Sequence, residues 1–579
     1  MGNEDTIPHA PSSPPVWLQV CLLLVIAGLA LALRWPIADI PLERDEGEYA
    51  YIAQRWLQAE VPYRHAFDQK PPLVFAVYAL IFLAFGQSVA AIHWGAQLYL
   101  IATAFFLFLI GKRLFTPPTG ILAAAFLLLT TMDVSVLGNA FNAESVMLLP
   151  LVAGMYAAVR TVESASVRWA CLTGMLSAAA LLGKQVALYD GMFYFLMMTL
   201  LIPVSGGRPS PGDSFHPETD ACRSSQWFLL PLSFTVGFAG ILALVTGYFA
   251  WHGALREFWD CVVGFNLKYA STVPLTQYPS RFVTELLKIG ICLGPIFVLA
   301  GAALLPLIGP RPIVVTQRYP YWLTWAWLLF SMLGTWTGGY FRPHYYIQML
   351  PALSLLAGAG VLIVCQLPGL RRFPAARYGL TALAAAYTVS VSAWYYLPGL
   401  SPTEKSYRTY HFNYFPVAQD VARHIREHSP PNAAVFVLGV EPEIYFYAQR
   451  RAASRYIFVY PLMMPYEDTR DRQRGVLKEL RDNSPCYVVI MDAHLPALRE
   501  PGTPSDLEEG WRNELRRSYR LDAVVMPAMR DGPFHLRVVT PAAGVEAWQA
   551  AQASVAAAPD KQRHYITIYR RHDERLETP

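Results

Sequence analysis

Apolar runs near twenty residues long recur from Val16 to Leu397, separated by short polar connections. They fall at 16–35, 91–111, 118–137, 143–159, 168–183, 187–203, 227–250, 283–308, 321–337, 346–366 and 378–397. On length alone each is a candidate to cross a hydrocarbon core of about 30 Å, which predicts a polytopic α-helical membrane protein with about eleven spans. The first run lacks a basic n-region and a cleavage site and is expected to stay as an uncleaved span. Leu73–Phe85 is also apolar, but as a helix it rises only about 20 Å and is expected to lie in the membrane interface. With that helix not spanning, Lys112/Arg113, Arg160/Arg168, Arg208/Arg223, Arg311/Arg318 and Arg371/Arg372/Arg377 fall on one side, which becomes the cytoplasmic one. Counting it as a span reverses the pattern. Glu4 and Asp5, with no Lys or Arg near them, run against this orientation. The outward face then carries the first loop, 36–90, the turns 138–142 and 338–344, Lys184, the loop 251–281 and everything after residue 398.

Past Leu397 the pattern changes, because Arg, Asp, Glu and Pro become frequent and no long apolar run returns. The chain therefore divides into a membrane part, 1–398, and a soluble extension, 399–579. In the extension Val417, Val421 and Ile425 share one helical face. Strand patterns at 434–438, 456–460, 487–491 and 566–569 alternate with helical ones at 442–449, 471–481 and 506–517, which predicts a C-terminal α/β domain. Residues 542–558 are Ala-rich, either a helix or an insertion. No glycine loop for a nucleotide phosphate is present.

Composition agrees: 54% of residues are hydrophobic and 15% charged, a balance suited to a bilayer. The net charge of +4 gives no reason to invoke nucleic acid. Seven scattered cysteines show neither disulfide pairing nor metal-ligand spacing.

The candidate chemistry lies in the outward segments. Residues 42–73, LERDEGEYAYIAQRWLQAEVPYRHAFDQKPPL, place Asp45, Glu46 and Glu48, then Lys70, between strongly apolar segments. Acidic groups in such a setting are costly and usually functional. Tyr49, Ile52, Ala53, Trp56 and Leu57 share a face, so this helix is expected to lie along the membrane with its start exposed. The plain alternative is a helix cap, with Asp45 as N-cap and Glu48 as its capping-box partner. Lys70, before Pro71 and Pro72, is placed either to hold a phosphate or to snorkel to lipid headgroups. Asn139, Asn142 and Glu144 cluster at one hairpin end, and Lys184 either binds an anion or pairs with Glu144. Arg342, His344, Tyr345 and Tyr346 form a third group, suited to a diphosphate headgroup or to an aromatic belt. The aromatic loop 251–281 either contacts sugar or lipid or packs onto the bilayer.

Taken together, Asp45-Glu46 with Tyr49, Pro62-Tyr63 and Asp68-Gln69-Lys70-Pro71-Pro72-Leu73 resemble the first outer loop of GT-C glycosyltransferases. The branch most similar is that of protein O-mannosyltransferases and lipid A aminoarabinose transferases. The resemblance extends through Glu144, Gly183-Lys184 and His344-Tyr345-Tyr346 to Pro351, hence most of the membrane part. It implies a GT-C-like fold and an inverting transferase that takes a sugar from a polyprenyl-phosphate carrier to an acceptor hydroxyl on the outer face of the cytoplasmic membrane. Asp45 matches the family's catalytic carboxylate and Lys70 a lysine associated with the donor phosphate. Glu46, Glu144, Lys184, Arg342, His344 and Tyr345 are expected to bind substrate. Glu144 stands where the family often has Asp, and either positions the acceptor or organises the loop. There is no basis for a metal or another cofactor. The expected partners are the lipid-linked sugar donor, membrane lipids and an acceptor drawn from proteins, lipids or polysaccharides. A transporter or flippase of a lipid-linked sugar is the rival class, but no paired broken spans in two related halves support it.

Overall fold

The computed structural model describes residues 14–205, 217–308, 317–367, 369–370, 373, 375–492, 495–527, 536–557 and 565–572. The expectations that rest on Glu4, Asp5, Arg208, Arg311, Arg371 and Arg372 lie outside the described residues, as do those on the side chains of Arg223 and Arg377. Two compact units share the chain. One comprises Met1–Ala38, His93–Tyr248 and Ala270–Pro398; the other comprises Asp39–Ile92, Phe249–Tyr269 and Gly399–Pro579. Residues 39–92 and 249–269 thus pack with the C-terminal residues.

In chain order the helices of interest begin with α1 (Val16–Arg34), α2 (Arg44–Trp56), α3 (Leu73–Phe85), α4 (Val89–Leu114) and α5 (Pro117–Thr130). They continue with α6 (Ala143–Ser164), α7 (Val167–Gly183), α8 (Leu188–Ser205) and α9 (Pro217–Trp251). Five stretches among the described residues are long and apolar enough to cross a membrane: Val16–Ile37, Val89–Leu114, Ala143–Ser164, Phe228–Trp251 and Pro343–Gln366. A sixth is added if Leu275–Cys292 and Gly294–Ile308, bent by 93°, form one span. The break falls at Leu293, just before Pro295, which lacks the donor that would continue the first helix. This is a multi-pass membrane architecture. The run at 118–137 is helical only to Thr130, because Asp133 caps a short turn and Leu137 adopts a left-handed φ of 50°.

Close helix approach replaces water-driven burial in this unit. Gly174 of α7 and Gly237 of α9 lie against each other's helix backbones, at Phe234 and Cys171, where a Cβ would collide. Gly360 lies in the same way on the Leu299 carbonyl. At one end of the unit Arg113 and Arg160 both reach Glu163, at 2.7 and 3.4 Å. Two residues placed on the same side by charge pattern are therefore neighbours.

The other unit contains a six-stranded sheet built from β1 (Ala434–Leu438), β2 (Arg451–Ala452), β3 (Tyr487–Ile490), β4 (Tyr519–Pro527), β5 (Leu536–Val539) and β6 (Ile566–Arg571). Its order is β2-β1-β3-β6-β4-β5. The pairs β1–β2 and β1–β3 are parallel, and β3–β6, β6–β4 and β4–β5 are antiparallel. Helices Glu443–Ala448, Thr469–Asn483 and Asp506–Ser518 occupy the three stretches of helical periodicity, and Val545–Ala556 forms within the Ala-rich segment.

Residues 456–460 are not a strand. Tyr456 stacks on Phe67 at 5.2 Å and Phe458 meets the same ring edge-on at 6.1 Å, so the aromatic run clamps Phe67. The expectation for α2 is also corrected. It does not lie with one face on a membrane, because every residue from Glu46 to Gln54 is buried. C-terminal residues supply the second wall: Arg44 Nε donates to the Val440 carbonyl at 2.6 Å, and the Ala452 amide donates to the Tyr51 hydroxyl at 2.7 Å.

Candidate active site

The helix start that presents Asp45 is held by its neighbours. Glu43 is the N-cap: its carboxylate accepts from the Glu46 amide at 3.3 Å, and the Glu46 carboxylate accepts from the Glu43 amide at 3.2 Å. The capping box therefore falls two residues earlier than the Asp45/Glu48 spacing suggests, because the backbone is already extended at Glu43. Glu46, expected among the substrate-binding groups, has its carboxylate in this cap. Arg44 is turned away to Val440 and to Glu441, 3.4 Å from its guanidinium. Asp45 is thus in the first helical turn, where the positive end of the helix favours a carboxylate.

Lys70 arrives from the loop before α3. Its ammonium is 3.6 Å from the Asp45 carboxylate and 5.4 Å from the Tyr49 ring centroid. The Tyr49 hydroxyl donates to Asp45 at 3.4 Å. Both charged side chains keep some access to solvent, 28% for Asp45 and 14% for Lys70, enough for a ligand to reach them. Three hydrogen bonds fix the turn that carries Lys70. The Tyr63 hydroxyl donates to the Lys70 carbonyl at 2.8 Å, the Asn266 amide to the Gln69 carbonyl at 2.7 Å, and the Lys70 amide to Asp68 at 2.9 Å. Asn266 follows a π-helical turn, Asp260–Phe265, whose flanking aromatic Phe258 packs on Tyr63 while Phe265 packs on Phe67. The aromatic loop thus has a further use: its rings support the turn that aims Lys70.

Beneath this pair lie Glu48 and Asp68, buried and in side-chain contact. Burial, then the neighbouring Asp68, raises the Glu48 carboxyl well above the usual carboxylate range. Burial also pushes Asp68 up to about 6, against the pull of Lys70. For Lys70 burial opposes the charge, but Asp45, Tyr49, Asp68 and Glu48 outweigh it and hold the ammonium well above the ordinary lysine range. The site keeps its cation charged at any physiological pH.

A second cluster lies in the helical unit. Lys184 pairs with Glu144, His344 Nε2 is 3.7 Å from the same carboxylate, and the Lys184 ammonium is 4.1 Å from the Tyr345 ring centroid. Of the two alternatives for Lys184, pairing with Glu144 is the one observed. Arg342 remains exposed, with its guanidinium 5.9 Å from the Tyr340 ring. Asn142 caps α6 through the Ser145 amide, at 3.1 Å, and Asn139 donates to the Tyr395 hydroxyl at 3.0 Å.

One buried group here escaped the sequence reading. Asp190 accepts from Trp327 at 2.8 Å, Ser331 at 2.7 Å and Gln348 at 2.5 Å. It anchors the 343–349 turn that carries His344 and Tyr345. The sole sequence signal was a carboxylate inside an apolar run. Among the described residues no three His, Cys, Asp or Glu side chains form a metal-ligating group.

Residues 69–207 match the family model described as dolichyl-phosphate-mannose-protein mannosyltransferase. No curated protein matches the sequence. Among solved structures, ArnT from Cupriavidus metallidurans bound to undecaprenyl phosphate aligns with a TM-score of 0.51 at 16% identity, covering 83% of this chain and 94% of that one. The same protein in the apo state aligns at 0.54 and 14%, covering 90% and 97%. The oligosaccharyltransferase of Archaeoglobus fulgidus, tethered with an acceptor peptide, aligns at 0.51 and 12%, covering 91% and 74%. At such identities the structural likeness speaks for the fold, and the family match covers the segment that begins beside Lys70. Residues 69–207 are thus similar to the mannosyltransferase family, and the fold of the chain is similar to that of ArnT and of the oligosaccharyltransferase.

Proposed function

We propose that the chain transfers a sugar from a polyprenyl-phosphate carrier to an acceptor hydroxyl on the outer face of the cytoplasmic membrane, with inversion at the anomeric carbon. The observation that carries this reading is the reachable Asp45 carboxylate held 3.6 Å from the Lys70 ammonium. Nucleotide sugars are cytosolic, so an outward site requires a donor delivered on lipid. In the transfer, the acceptor oxygen forms its bond to the anomeric carbon while its proton passes to Asp45. The bond from that carbon to the phosphate oxygen breaks, and the departing phosphate keeps the electron pair and is met by Lys70. A single displacement of this kind inverts the carbon. The polyprenyl phosphate bound by ArnT and the mannosyl-phosphate donor named for the matching family support the donor class.

On this reading Asp39–Ile92 and the extension after Pro398 lie outside the cytoplasm. Glu144, Lys184, Arg342, His344 and Tyr345 are assigned to substrate binding in the helical unit.

Two variants separate the roles. Asp45→Asn loses at least about a hundredfold in kcat, the usual contribution of a general base. Lys70→Ala raises the KM for the lipid-phosphate donor. Near-normal turnover in folded, membrane-inserted Asp45→Asn would reduce Asp45 to a part of the helix start. Unchanged donor KM and turnover in Lys70→Ala would remove the phosphate role.

A further inference from the structure

Glu48 and Asp68 touch the pair that performs the proposed transfer, yet neither has a part in it. Glu48 is 4% exposed and Asp68 0%. Their carboxyls face each other as hydrogen-bond neighbours, and among the described residues neither Glu48 Oε1 nor Asp68 Oδ2 has a donor from any other group. Two carboxylate oxygens are both acceptors, so they hydrogen-bond only if a proton lies between them. Two ionised carboxylates in contact without water would be strongly disfavoured.

The remaining contacts decide which group carries the proton. Asp68 Oδ1 already accepts the Lys70 amide at 2.9 Å, a bond that favours the ionised form. Glu48 Oε1 has no such donor. The groups facing the pair are Asp45 and Tyr49 from α2 and Lys70 from the loop, with Tyr63 and Cys261 facing Asp68. Lys70 is the one cation among them.

We propose that Glu48 is a proton-bearing positioning residue: its neutral carboxyl donates to the Asp68 carboxylate and so pins the Asp68–Lys70 turn to α2, keeping the Lys70 ammonium at Asp45. The inference rests on the Asp45/Lys70 reading and adds a consequence. When the pair loses its proton to solvent, two anions are left in contact, the turn loosens from α2 and Lys70 leaves its place. Burial raises both carboxyls; Asp68 raises Glu48 further while the Glu48 hydrogen bond lowers Asp68, which fits this arrangement.

The test compares wild type, Glu48→Gln and Glu48→Leu in lipid, using a radiolabelled polyprenyl-phosphate sugar across a pH series. Wild-type transfer falls on the alkaline side. Glu48→Gln donates an amide N–H to Asp68 and cannot ionise, so it retains transfer and lacks that alkaline fall. Glu48→Leu leaves the Asp68 charge without its donor and loses at least about tenfold at neutral pH, below the wild type's alkaline fall. An alkaline fall of the same size in folded Glu48→Gln overturns the proposal.

Infrared difference spectra give a readout that needs no turnover. Subtracting Glu48→Gln from wild type leaves the carbonyl stretch of a protonated carboxylic acid. Absence of that band from the wild type overturns the proposal even where transfer is established. Its presence in a protein that moves no sugar leaves the shared proton standing and removes the transferase reading instead.

Discussion

Asp45 and Lys70 are 25 positions apart in sequence and 3.6 Å apart in the fold. Both were legible, because they belong to a compact motif between apolar runs. What holds them was not. Asn266, which fixes the Gln69 carbonyl, lies 197 residues along the chain, and no periodicity links the two. Glu48 and Asp68 stand in plain view as acidic residues, but their contact depends on a turn whose shape the sequence does not dictate. Two substitutions test this supporting layer. Tyr63→Phe removes one hydrogen bond, worth about 0.5–1.5 kcal/mol, and should lower the thermal midpoint and weaken donor use. Unaltered donor KM would show that Lys70 is held well enough by the rest. Glu46→Ala removes half of the capping box and costs about 1 kcal/mol of stability. A loss of donor or acceptor affinity far beyond that, in folded protein, would return Glu46 to the substrate.

The apolar helices are legible at the scale of elements because membrane spans announce themselves by length and composition. Leu73–Phe85 forms with the bounds its pattern gives. The failures are instructive. Residues 456–460 have strand composition, yet the Tyr456 and Phe458 rings are spent on Phe67, and a 3-10 turn with Pro461 in it starts at Tyr460. Conversely, β4 mixes Arg520 and Asp522 with apolar residues and gives no clean alternation, so it was missed. The face of α2 was misjudged because its second wall comes from residues some 400 positions later.

That wall makes Gly47 informative. Alanine in a helix normally stabilises by about 0.5–1 kcal/mol over glycine. A Cβ at Gly47, however, would collide with the Cβ of Glu443 and come within 2.8 Å of its Cα. Overpacking of this kind costs about 1–3 kcal/mol, so Gly47→Ala should be net destabilising. A thermal midpoint equal to or above wild type would show that α2 and Glu443–Ala448 part easily.

The whole molecule comprises a multi-pass helical unit and a second unit in which Asp39–Ile92 and the C-terminal sheet share one fold. This second unit buries several carboxyls, and Glu43, Glu48 and Glu443 are each raised well above the usual range, first by burial. Asp68 is raised by burial to about 6. A carboxyl whose folded pKa is raised binds more protons in the folded state. Its stabilising effect is fully present below its unfolded pKa, about 3.9 for Asp. It is lost as pH rises through the folded value, about 6 for Asp68. The thermal midpoint of this unit should therefore fall as pH rises through that window, and Asp68→Asn should flatten part of the fall. A midpoint that climbs with pH would contradict the protonated-carboxyl description.

The most direct measurement of the central claim uses purified protein in lipid, supplied with a panel of radiolabelled polyprenyl-phosphate sugars and envelope extracts. Wild type should consume one of these donors, by transfer to an acceptor or by slow hydrolysis, and Asp45→Asn should lose that activity. If no donor is consumed while lipid-linked sugar crosses vesicle membranes, the molecule is a transporter and the transferase account is wrong.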